Sequence, residues 1–87
     1  MSQDYPYRLS QHFLDRLSER NLSLEWVIKT VEAPTLVEPD PQDPTLRLAF
    51  RAISSLDGRV LKVVYNWTTD PWTLVTAHLD RNKRGKL

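Results

Sequence analysis

The stretch TLRLAFRAISSLDGRVLKVVYNW, residues 45–67, decides the fold. Its first half sets Leu46, Leu48 and Phe50 against Arg47, Ala49 and Arg51. Its second half sets Leu61, Val63, Tyr65 and Trp67 against Val60, Lys62, Val64 and Asn66. Successive side chains leave a strand on opposite faces, so alternation of this kind predicts two strands. Between them SSLDG supplies a turn, and Asp57-Gly58 is its strongest signal. A β-hairpin therefore stands at the centre of the chain.

Downstream, TTDP turns the chain again and WTLVTAHL predicts a last strand that ends near His78. Trp67 and Trp72 flank that turn, where they are expected to cover the hairpin end as a cross-strand pair. Upstream of the hairpin, TLVEP reads as a short strand and DPQDP as a proline-stiffened loop. Farther upstream the period changes to that of a helix. In LSQHFLDRLSERNLS, residues 9–23, Phe13, Leu14 and Leu17 form one apolar stripe, with Asp15, Ser18 and Glu19 opposite. Ser10 is the expected N-cap and Asn21 the stop. In NLSLEWVIKTVEAP, residues 21–34, Ser23 caps a second helix, and Leu24, Val27, Ile28 and Val31 are its stripe. Pro34 ends it. The predicted fold class is α+β, with two N-terminal helices packed on a three- to four-stranded antiparallel sheet. One domain spans 1–87, its ordered core running from about 7 to 81. The tail over 80–87 holds Arg81, Lys83, Arg84 and Lys86 against Asp80, lacks an apolar pattern and is expected to fray.

Composition narrows the function. The net charge of +1 argues against a domain that coats nucleic acid non-specifically, though a local basic patch is compatible with it. The chain has no cysteine, which removes disulfides, thiolate zinc sites and thiol catalysis. The two histidines, without cysteines, make a weak metal case, so neither metal nor cofactor is expected. The only glycines are Gly58 and Gly85, so there is no glycine-rich phosphate loop. No basic start with an apolar run marks a signal peptide, and no segment approaches the ~20 apolar residues of a membrane span. The expectation is a cytoplasmic domain without a membrane partner.

One spacing stands out. His12, Arg16 and Arg20 recur every fourth residue along the border of the first helix's apolar stripe. Like charges at that spacing cost an isolated helix about 0.2–0.5 kcal/mol. Arg47 and Arg51 share a strand face, Lys62 lies on the next strand, His78 ends the last one and Arg81 follows. Histidine among arginines suits an anion, because guanidinium forks hold phosphate and imidazole moves a proton. The plain alternative holds for each residue taken singly. Arg16 and Arg20 then pair with Glu25, Glu32 or Glu38, and Arg47 and Arg51 are a solvated strand face. A buried ion pair at the helix-to-sheet junction is a further reading of the helix arginines.

The residues also carry a resemblance. Ser10, His12, Arg16 and Arg20 set a spaced helix motif, followed by Asn21-Leu22-Ser23, Glu25, Val27 and Ala33-Pro34. Arg51, DGRVLKVVY at 57–65 and VTAH at 75–78 follow. From about Tyr7 to Arg81 this pattern resembles the family catalogued as domain of unknown function 4258. More distantly it is similar to the BrnT-type toxins of bacterial toxin–antitoxin pairs, which are small RelE-like ribonucleases. The resemblance implies a RelE/BrnT-like fold, an RNA substrate and an acidic antitoxin partner. Arg51 matches the arginine that opens the central hairpin of those toxins. His78 stands where they carry an arginine on the last strand, with Arg81 three residues later. The function expected is a metal-independent ribonuclease, with His12, Arg16, Arg20, Arg51 and His78 as catalytic candidates. Arg47, Lys62 and Arg81 are the binding candidates. The alternative is a non-catalytic RNA- or protein-binding domain of the same fold with structural His and Arg residues.

Overall fold

A computed structural model of the protein describes residues 6–87; residues 1–5, the start of the predicted domain, lie outside the described residues. Helix α1, Gln11–Glu19, begins where the Ser10 hydroxyl accepts the Phe13 N–H at 3.0 Å. It ends in a Schellman turn. Asn21 takes φ 55°, its N–H reaches the Ser18 carbonyl at 3.1 Å, and the Leu22 N–H reaches that of Leu17 at 2.9 Å. Leu17 and Leu22 are both buried, so the turn is closed by apolar contact as well. Helix α2, Leu24–Glu32, is capped by Ser23 and buries Val27 and Val31. It also buries Thr30, whose hydroxyl donates to the Trp26 carbonyl at 2.7 Å, a back-bond that lets a polar residue sit on the apolar face.

The sheet is a four-stranded antiparallel meander in chain order: β1 Leu36–Pro39, β2 Leu46–Ile53, β3 Arg59–Asn66 and β4 Thr73–Asp80. The β2–β3 hairpin turns through Ser54–Leu56 and then Asp57 and Gly58, both at positive φ as the sequence requires. Both helices cover one face of the sheet. Ala49, Ile53, Leu61, Val63, Tyr65, Leu74 and Ala77 on that face pack with Phe13, Leu17, Leu22, Val27 and Val31. The second face carries a separate cluster of Leu48, Phe50, Val60 and Val64. The expected architecture is therefore the observed one.

Three expectations are corrected. Arg47 and Arg51 do not form a solvated face: they share the parity of Ala49 and Ile53 and lie at the margins of the helix-covered side. Trp67 and Trp72 do not pair. The Trp67 N–H and indole Nε1 donate to the Thr45 and Pro44 carbonyls at 3.2 and 3.0 Å, drawing that ring toward the β1–β2 loop. Trp72 stacks on Tyr65 instead, with ring centroids 4.7 Å apart. Finally, the tail folds back. Asp80 Oδ1 accepts the N–H groups of Asn82 and Lys83 at 2.8 and 3.3 Å, making a turn. Lys83 then reaches Glu38 of β1 at 3.1 Å and hangs over the Phe50 ring, 5.1 Å from its centroid.

Candidate functional site

The antiparallel register makes Lys62 and His78 direct cross-strand partners on the face without helices. Strand β4 is the edge of the sheet, and α1 packs against it. The Schellman turn ends α1 with Arg20 beside that edge. Arg20 Nη1 donates to the Ala77 carbonyl at 2.8 Å and to the Thr76 hydroxyl at 3.3 Å. A guanidinium has five N–H donors, so this anchoring leaves others free for a ligand. Arg20 also satisfies a carbonyl that an edge strand would otherwise leave unpaired.

The histidine feels this arrangement. Burial first, then the charges of Lys62 and Arg20, push the His78 imidazole below the ordinary histidine value of 6.5, with Asp80 opposing. His78 is thus neutral at pH 7, able to take up a proton, with two fixed cations beside it. Such a trio can neutralise a phosphate and remove a proton from a neighbouring hydroxyl.

The other predicted residues are distributed around the molecule. His12 and Arg16 are exposed on the α1 stripe that leads to Arg20. Arg16 lies 3.6 Å from Glu19, rather than from Glu25, Glu32 or Glu38, and an exposed pair of this kind contributes about 0–1 kcal/mol. The idea of a buried ion pair holding Arg16 and Arg20 is overturned: Arg16 pairs in solvent and Arg20 bonds backbone and hydroxyl. Arg51 lies on the helix-covered side, where its Nη1 donates to the Ala33 carbonyl at 2.6 Å and caps the C-terminus of α2. The sheet therefore separates Arg51 from His78. Arg47 lies over the Trp67 ring at 4.4 Å, a cation–π contact at the opposite end of β2. Arg81 follows β4, just past the cluster.

Thr76 was missed by reading the sequence. Its period-two relation to His78 was visible, but nothing local indicates that an arginine on a helix would bond it. Among the described residues no group of three or more His, Cys, Asp or Glu could hold a metal ion. No described helix is long and apolar enough to cross a membrane.

No curated protein and no solved structure matches the chain. A family model matches residues 9–78, which takes in both helices and all of the sheet except the last residues of β4. The helix motif, the central hairpin and the β4 segment up to His78 all fall inside that match, and the chain belongs to the family described as Domain of unknown function (DUF4258).

Proposed function

We propose that the chain is a small metal-independent endoribonuclease of the toxin–antitoxin kind, acting in the cytoplasm at the β4 edge. The observation that carries this reading is the neutral His78 imidazole with Lys62 as its cross-strand partner and the anchored Arg20 on the same strand edge. Its resemblance to RelE- and BrnT-like toxins, where an arginine occupies the position of His78, supports the choice of RNA. In the reaction, His78 takes the proton of a ribose 2′-hydroxyl. The 2′-oxygen attacks phosphorus, and the bond to the 5′-oxygen breaks. Arg20 and Lys62 stabilise the negative charge that builds on the phosphorane oxygens. The imidazolium returns its proton to the leaving 5′-oxygen, so the products are a 2′,3′-cyclic phosphate and a 5′-hydroxyl. An acidic antitoxin would be held by the same cations.

A second reading is a non-catalytic RNA-binding domain. It is favoured by the position of His12, which is exposed on α1 rather than joined to the His78 cluster. That leaves His78 as the sole imidazole of the cluster.

Incubating the purified protein with single-stranded RNA and EDTA separates the readings. Cyclic-phosphate products that fall about 100-fold or more with His78→Ala support cleavage at this site. The rate should rise with pH and reach half its maximum below the ordinary histidine value of 6.5, because the neutral imidazole is the base. Salt-sensitive RNA binding without products, weakened by Arg20→Ala, selects the second reading. Absence of both binding and products refutes both.

A further inference from the structure

The folded tail creates a second cationic feature. Arg59, Arg81 and Arg84 border a hollow of about 430 Å³ at the hairpin end of the sheet, lined also by Val60, Leu79 and Asp80. This grouping is built by the tertiary structure. The Asp80 turn sets the direction of the tail, and Arg84 Nη2 donates to the Asp57 carbonyl at 3.3 Å, tying the tail to the β2–β3 turn.

Among the described residues, no carboxylate pairs with any of the three arginines; the ion pairs are Arg16–Glu19 and Lys83–Glu38. Asp80 is occupied as the acceptor of two backbone N–H groups. The balance at the hollow is three guanidiniums against one carboxylate. Like charges held together by folding repel one another, and an anion between them removes that repulsion. Planar guanidiniums match the geometry of phosphate oxygens two at a time. The volume admits a phosphate together with a sugar.

We infer that the hollow framed by Arg59, Arg81 and Arg84 is a binding site for a phosphate group on a ligand of nucleotide size, separate from the β4-edge site. Arg59 precedes Lys62 by three residues on β3, about 10 Å along the strand, and this odd spacing directs the two side chains to opposite faces of the sheet. The phosphate is carried either by a free nucleotide or by the backbone of an RNA strand lying along β3 and β4.

The test measures binding of adenosine 5′-monophosphate and of a short 2′-O-methyl RNA, which cannot be cleaved through its 2′-oxygen. The proteins are the intact chain, Arg59→Gln, Arg84→Gln, and Lys29→Gln, which removes an equal charge from exposed α2. Circular dichroism checks each fold; Arg59→Gln, at the exposed first residue of β3, keeps the test informative if the tail variant is disturbed. The expected result is a loss of about tenfold or more in affinity for at least one probe with Arg59→Gln and Arg84→Gln, beyond that of Lys29→Gln. Loss on the monophosphate arm identifies a nucleotide ligand; loss on the RNA arm alone identifies the backbone. Weakening no greater than that of Lys29→Gln, or no binding of either probe by the intact chain, overturns the inference. Cleavage at the β4 edge is read separately and stands or falls independently.

Discussion

The two faces of the sheet are buried by different means. On one, two amphipathic helices lay continuous apolar stripes over Ala49, Ile53, Leu61, Val63 and Tyr65. On the other no helix packs, yet Phe50 and Val60 are each only 1% exposed. There the cover includes the Lys83 side chain, whose ammonium group sits over the Phe50 ring and pairs with Glu38. Long cationic side chains can close apolar surface and keep their charge in water. That difference accounts for the position of Lys62 and His78, which lie on the face without helices. A face covered by helices leaves no room for ligand, whereas a face closed by basic side chains offers both cover and charge.

Phe13→Ala, on the helix-covered side, should cost about 3–5 kcal/mol in urea unfolding, because two rigid layers cannot close the cavity. Phe50→Ala should cost less, about 2–3 kcal/mol, since a tail held by few contacts can settle into the space. Equal losses would mean that the second face is packed as rigidly as the first. Removing residues 81–87 should cost about 1–3 kcal/mol, the worth of re-exposing one large apolar side chain, with unfolding midpoints as the readout. Lys83→Ala alone should cost no more than about 1 kcal/mol, as the Glu38 partner is partly exposed.

The smallest effect is on pH dependence. Because the folded His78 titrates below 6.5, the unfolded chain takes up its proton first as pH falls. The contribution of neutral His78 to stability is therefore complete above pH 6.5 and is lost as pH falls from there through the lower folded value. Thermal midpoints measured from pH 8 to pH 5 should show this fall, and His78→Ala should flatten it. An unchanged slope would remove the electrostatic description of the site.

Much of the fold was legible because its signals are local. The Ser10 and Ser23 caps, the Asn21 stop, the Asp57-Gly58 turn and the periods of both helices and the strands each depend on neighbours a few residues away. The site was legible only in part. The α1 arginine spacing pointed to Arg20, and β-alternation pointed to Lys62 and His78. Arg51, the residue most strongly suggested by resemblance, proved to cap α2 on the other side of the sheet. No local pattern says which face of an alternating strand two helices will cover.

The sequence by itself determined the elements, their ends and the antiparallel order of the central hairpin, since these follow from backbone preferences and the side-chain period. Only the tertiary structure decided that the helices cover the Ala49 face and that the tail returns across Phe50. It alone placed Arg20 on the Ala77 carbonyl, 57 residues away. Those choices rest on the docking of whole surfaces, and a contact between distant residues exists only once all the elements between them have found their places.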